Sequence, residues 1–304
     1  MTVRSSRRRL ALPVLAVAAA LSWAPHALAG GAASDSDSFE DKHLFGFTEG
    51  SDVGEPGSNE AEFTSSGAFG KRGGGVYQGV VQEAAYETAV TDRFGYEAIG
   101  SGVWQTIQGA PGLVDRRDVN FLGVAFEPKY VFLRRGIDAP IGLSLSLQPE
   151  WTRVDDVTGA AARNFSMETK LYLDTEFIRR KLLGAINLIY IPEFQNEAGV
   201  GPSHYTLFGA TGALSYLFAP DLYLGGEVEV YQASQSLGFA NSSGSAVYVG
   251  PTLHLQMGPG AFLALAWSEA AAESPRHLSP AGLTAWNQSD LARQRAHMVF
   301  GVEF

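Results

Sequence analysis

Tight and long connections alternate along this chain, and that sorting constrains the fold more than any single motif. Segments near 61–70, 76–90, 92–107, 119–134, 141–152, 164–177, 182–194, 204–218, 221–234, 245–257, 260–269 and 296–304 read as about twelve strands. Counted from the first strand, the even-to-odd connections are tight: 91–92, 135–138, 179–180, 219–221 and 258–259. The odd-to-even connections are mostly long: 108–118, 153–163, 195–203, 235–244 and 270–295, with Lys71 to Gly75 the short exception. A soluble sandwich has no reason to sort loop lengths by end. A barrel with short turns on one side of a bilayer and loops on the other does.

Alternation within the strands agrees. Ile141, Leu143, Leu145 and Leu147 share one face, with Gly142, Ser144 and Ser146 opposite. Phe165, Met167, Leu171, Leu173 and Phe177 oppose Glu168, Lys170, Tyr172, Asp174 and Glu176. Leu222, Leu224, Val228 and Val230 oppose Glu227, Glu229 and Tyr231. The first three strands alternate less cleanly. After residue 29 the chain has no run of eighteen apolar residues, so it offers no helical span. Only a closed barrel can then cross a bilayer with every backbone group paired. Aromatics such as Tyr96, Tyr130, Trp151, Tyr190, Phe218 and Trp267 fall near strand ends, where interfacial girdles sit.

The N-terminus reads as a secretory signal peptide over 1–29. Arg4, Arg7, Arg8 and Arg9 precede the apolar stretch Leu10 to Leu21, and Ala27-Leu28-Ala29 offers a cleavage site. Removing it takes four Arg and no acid, which lowers the formal net charge from -10 to about -14. Such a charge argues against nucleic acid as a partner. The absence of cysteine excludes disulfides, thiolate metal sites and a lipid anchor. Residues 30–60 are rich in Asp, Glu, Gly and Ser, with Lys42 their one Lys and no Arg, and Leu44, Phe45 and Phe47 a small apolar cluster. They read as an acidic, flexible periplasmic segment, or alternatively as a plug or lid at the barrel mouth.

The last strand adds a resemblance. Met298, Phe300, Val302 and Phe304 fall on one face, and His297, Gly301 and Glu303 on the other. This resembles outer-membrane β-barrel proteins of Gram-negative bacteria, whose last strand commonly ends in an aromatic. The resemblance implies an all-β, transmembrane antiparallel up-and-down barrel over 61–304, exported to the outer membrane. It also implies outer-membrane lipids and the barrel-assembly machinery as partners, with Phe304 as the assembly signal.

If the apolar faces meet lipid, the opposite faces line a lumen. The candidate lining, and candidate selectivity residues, are Glu127, Lys129, Glu150, Glu168, Lys170, Asp174, Glu176, Glu193, Glu227, Glu229 and His254, with Glu97 and Glu303 beside them. The acids outnumber the bases. The expectation is a passive channel or uptake barrel for small polar solutes, cations among them. The alternatives are a structural or adhesive barrel whose acids pair with Lys129, Lys170 and loop arginines, or a lipid-active enzyme. No G-x-S-x-G or H-E-x-x-H motif is present, so the expectation is no catalytic residue, no metal and no cofactor. The longest loop, 270–295, carries Arg276, His277, Trp286 and Arg293 and could fold inward or stand outward.

Overall fold

In the computed structural model, the chain closes into one barrel of twelve antiparallel strands in sequence order, with the last strand paired to the first. The structure describes residues 42–197, 201–258, 260–275 and 280–304. The expected signal peptide, residues 30–41, and Arg276 and His277 lie outside the described residues. The strands are β1 (Asn59–Phe69), β2 (Val76–Thr91), β3 (Phe94–Gln108), β4 (Arg116–Leu133), β5 (Ile141–Val154) and β6 (Ala161–Ile178). They continue as β7 (Leu182–Glu197), β8 (Gly201–Ala219), β9 (Leu222–Ser234), β10 (Ser242–Gln256), β11 (Ala261–Pro275) and β12 (Gln294–Glu303). A short helix, α1 (Pro280–Asn287), lies between β11 and β12.

The strand number agrees with the alternation of connections, but several ends differ. β1 begins at Asn59, inside the expected leader, and β11 runs to Pro275, which shortens the longest loop. β8 reaches 19 residues, whereas about 9–11 suffice to cross a bilayer. The hydrophobic pattern ends where lipid ends, while backbone pairing continues into water. Pattern alone therefore underestimates the strands at the long-loop end.

Burial is inverted relative to a soluble protein. Val228 and Val230 are 48% and 45% exposed, while Glu227 and Glu229 on the same strand are 4% and 0% exposed. Phe63, Phe126, Leu188 and Leu214 likewise stand outward on other strands. Lipid is the solvent that favours this arrangement. Aromatics frame the apolar band: Tyr96 and Phe126 pack near the short-turn rim, Tyr190 and Phe208 near the other. On β8, Phe208 and Phe218 are ten residues apart, about 25 Å of height on a tilted strand at roughly 3.3 Å per residue. The protein is an outer-membrane β-barrel.

Eight strands enclose just enough room for their own side chains, so twelve leave space to be filled. At the short-turn end it is filled by residues 42–58. Leu44 and Phe45 are fully buried there against Leu183, Ala185, Ala213 and Tyr223. Each such side chain removed from water contributes about 1.5–3 kcal/mol. At the long-loop end, Trp286 and Leu291 pack on Tyr205, Tyr231 and Tyr248, and Val157 and Ala110 pack on Tyr77 and Ile107. Two apolar layers thus bracket a charged middle.

Candidate functional site

The site is built where residues 42–58 meet the lumen wall. The segment is a fold-back: the Gly50 amide donates to the Lys42 carbonyl at 2.9 Å. Gly46 lets it pass close to the wall, since a Cβ there would lie 2.7 Å from both Ala266 Cβ and a Glu227 oxygen. Gly54 and Gly57 take positive φ, which turns the chain back toward β1.

Wall side chains hold this segment largely by its backbone. The Glu227 carboxylate accepts the Phe47 amide (3.1 and 3.2 Å) and the Thr48 amide and hydroxyl (3.1 and 3.2 Å). Asp174 accepts the Ser51 amide at 2.6 Å, and Asn187 both accepts the Glu49 amide and donates to its carbonyl. Lys129 donates to the Gly50 carbonyl at 2.9 Å, and Thr48 hydrogen-bonds Thr211 at 2.9 Å. The segment also returns charge to the wall. Glu49 pairs with Lys170 at 2.9 Å. Burial opposes the Glu49 charge, but Lys170, Lys129 and Lys42 outweigh it and hold its pKa at about 2.

The second electrostatic feature is a row of inward glutamates near the short-turn rim. Register places Glu60 beside Glu87, Glu87 beside Glu97, and Glu97 beside Glu127, one on each of β1 to β4. Glu62 lies two residues along β1 from Glu60, with Glu303 opposite Glu60 on β12. The ammonium of Lys42 sits among them, paired with Glu87, with Glu62 at 3.2 Å and with Glu97 at 3.8 Å. His43 adds a contact to Glu62 at 3.0 Å, its ring stacked on Phe262. Ligand atoms of His43, Glu62 and Glu87 lie within 4.8 Å of one another, as metal ligands would. The positive charge at that position is the Lys42 ammonium.

A family profile covers residues 37–304. The chain belongs to the family of unknown function DUF6662. No curated protein matches it. Among solved structures, this DUF6662 barrel is similar to the NanC porin, at 9% identity over 80% of this chain and 98% of that one, with a TM-score of 0.47. The KdgM porin in complex with disordered oligogalacturonate gives 11% identity, 81% and 99% coverage, and 0.46. The translocator domain of autotransporter NalP from Neisseria meningitidis gives 11%, 83% and 89%, and 0.45. The lumen geometry of the DUF6662 chain itself carries the functional reading.

That geometry distributes the residues singled out in the sequence among several partners. Glu168 pairs with Lys170 at 3.0 Å, Asp174 with Arg135 at 2.8 Å, and Glu229 with Arg295. Glu127 accepts the Tyr172 hydroxyl at 3.1 Å, and Lys129 lies 4.1 Å from the Tyr172 ring centroid. Glu150 accepts from Ser166 at 3.3 Å, and Glu176 accepts the Arg180 amide at the β6–β7 turn. His254 contacts the His43 carbonyl at 3.1 Å. Glu193 lies opposite Ser166, on the long-loop half of β7. Phe304 is 72% exposed, its amide donating to the Asn59 carbonyl at the barrel seam. These acids form no single ring. Trp286 of the longest loop is fully buried, so that stretch folds inward.

Sequence reasoning missed Glu60, Glu62, Glu87, Lys42 and Arg295. Glu60 and Lys42 were absorbed into the leader, and β1 and β2 lack a clean apolar face. The spacing Glu60-Ala61-Glu62 and Glu83 to Glu87 is compatible with an inward face, but only register brings these acids together.

Proposed function

We propose that this barrel is a passage for small polar solutes whose short-turn mouth rests closed by residues 42–58. One observation supports the reading above others: beyond the contact of Leu44 and Phe45, the wall facing residues 47–51 is charged and hydrogen-bonding where a permanent core would be apolar. Glu227, Asp174, Asn187, Lys129 and Lys170 hold the segment by polar contacts that water could replace. A wall suited both to a polar segment and to water fits a plug that can leave. The passage is passive, without a catalytic step, and its inward acids favour cationic or neutral solutes over anions.

A second reading, a closed structural barrel, draws on the apolar layer around Trp286 and Leu291 at the other end. Planar-bilayer recordings separate the two. The full protein should conduct rarely, and deletion of residues 42–56 should raise conductance well above it in correctly inserted barrels. A deletion variant that inserts, shows heat-modifiable mobility and carries no current overturns the passage.

A further inference from the structure

We propose that the row Glu60, Glu87, Glu97 and Glu127, with Glu62 beside it, is the charge filter of the passage, and that Lys42 is its tethered counter-ion. This rests on the passage reading and adds the selectivity and the contact that holds the plug.

Neighbouring strands are about 4.8 Å apart, so the backbones of the four register-paired glutamates follow one another around the wall at that interval. Like charges directly opposite on paired strands destabilise a sheet. A fold tolerates such a row when a cation stands among them. On the arc formed by β1, β2 and β3, that cation comes from the removable segment: the Lys42 ammonium contacts one glutamate on each of these three strands. Lys129 and Lys170 lie further round, occupied by the Gly50 carbonyl, Glu168 and Glu49.

The lodged group also shows which chemistry the row accepts. A primary ammonium, desolvated and shared by three carboxylates, is a monovalent cation. With Lys42 in place the row is partly neutralised and contributes little field. With Lys42 withdrawn, the carboxylates face water at the mouth, concentrate cations there and repel anions. Alkali cations and small alkylammonium solutes therefore share this step of the path.

The test uses Lys42→Gln, Lys42→Arg, and Glu87→Gln with Glu97→Gln, in the full chain, refolded and checked by heat-modifiable mobility. Lys42→Gln should raise open probability several-fold over the parent, expose residues 42–58 to subtilisin, and move the reversal potential in a KCl gradient toward the potassium value. Lys42→Arg should restore the parent behaviour. Adding Glu87→Gln and Glu97→Gln to Lys42→Gln should return the reversal potential most of the way to zero, with conductance retained. At about 1 M salt, where the Debye length is roughly 3 Å, the difference should fade. If Lys42→Gln stays closed while deletion of 42–56 conducts, the tether is overturned and the passage stands. If the Gln pair leaves selectivity unchanged, the filter is overturned. If neither Lys42→Gln nor the deletion conducts, both readings fall. Should Lys42→Gln fold poorly, the Gln pair in the parent background reads the same contact from the wall and should also expose 42–58 to subtilisin.

Discussion

Glu87 and Glu97 stand directly opposite each other on β2 and β3, and a single ammonium, that of Lys42, contacts both. Burial disfavours the Lys42 charge, yet Glu62, Glu87 and Glu97 hold its pKa well above the usual lysine value. The lysine therefore stays charged across physiological pH, and loss of a proton does not release its contact with the wall. The plug and the barrel are joined by charge at one side and by Leu44 and Phe45 at the other.

Glu227 and Glu229 lie two residues apart on β9 but answer to different partners, so their Gln variants should separate. Glu227 binds the amides of Phe47 and Thr48. Hydrogen bonds to a charged group contribute about 1.5–3 kcal/mol each, so Glu227→Gln should loosen the segment and leave barrel stability nearly unchanged. Glu229 is fully buried against Arg295. Removing its charge leaves the guanidinium uncompensated, at a cost of about 3–5 kcal/mol to the barrel. Protease sensitivity of 42–58 and urea unfolding in lipid check the two effects. Equal loss of barrel stability in both variants contradicts the division.

Thr48 and Thr211 place their hydroxyl oxygens 2.9 Å apart, one on the segment and one on β8. The chain has no cysteine, so Thr48→Cys with Thr211→Cys introduces the sole pair. Hydroxyls in contact bring the Cβ atoms near the 3.5–4.5 Å that a disulfide needs. Mild oxidation should form the bond, keep 42–58 protected from subtilisin even beside Lys42→Gln, and silence the current. Reductant should restore both. Failure of the pair to oxidise would mean that the segment does not reside against β8.

Between β5 and β6, Asp155 and Asp156 lie within electrostatic reach of Asp290 at the long-loop end. Burial, then Asp290 and Asp155, push Asp156 well above the ordinary carboxylate range, and burial raises Asp155 as well. A raised folded pKa means that the folded state holds the proton more tightly. Its contribution is full below about pH 4 and is lost as pH rises through the folded values. The long-loop end should loosen from acid toward neutral pH, read as faster amide exchange over 155–158 after correction for intrinsic rates. Asp156→Asn should flatten that dependence. Lys71, lowered by burial to about 8, has the opposite sign from there to its ordinary 10.5. Protection that increases from pH 5 to pH 7 would contradict the assignment.

The architecture was legible because lipid imposes its own pattern. Val228 and Val230 alternate with Glu227 and Glu229, and the tight turns punctuate that alternation at every second connection. Strand count and compartment follow from those signals. The lumen was legible only as faces. Parity distinguishes the side carrying Glu97 from the side carrying Ala98, but it is silent on which residue of β2 lies opposite, and that register creates the glutamate row. The leader was opaque for a related reason. Leu44 and Phe45 are too few to announce a core, because the surface that buries them is assembled from β7, β8 and β9, far away in sequence.

Lys42 and Ser58 lie near the same rim, and Thr48 and Glu49, between them in sequence, reach mid-lumen. The Ser58 carbonyl accepts the Ala89 amide at the end of β2, while Lys42 reaches glutamates three to four residues inside the ends of β1, β2 and β3. The stretch 42–58 thus enters and turns back at one mouth of the lumen, as a bight of rope does. Withdrawal of this stretch through that mouth needs no strand of the barrel to part. Opening of the proposed passage therefore asks nothing of the barrel, which stays closed strand to strand.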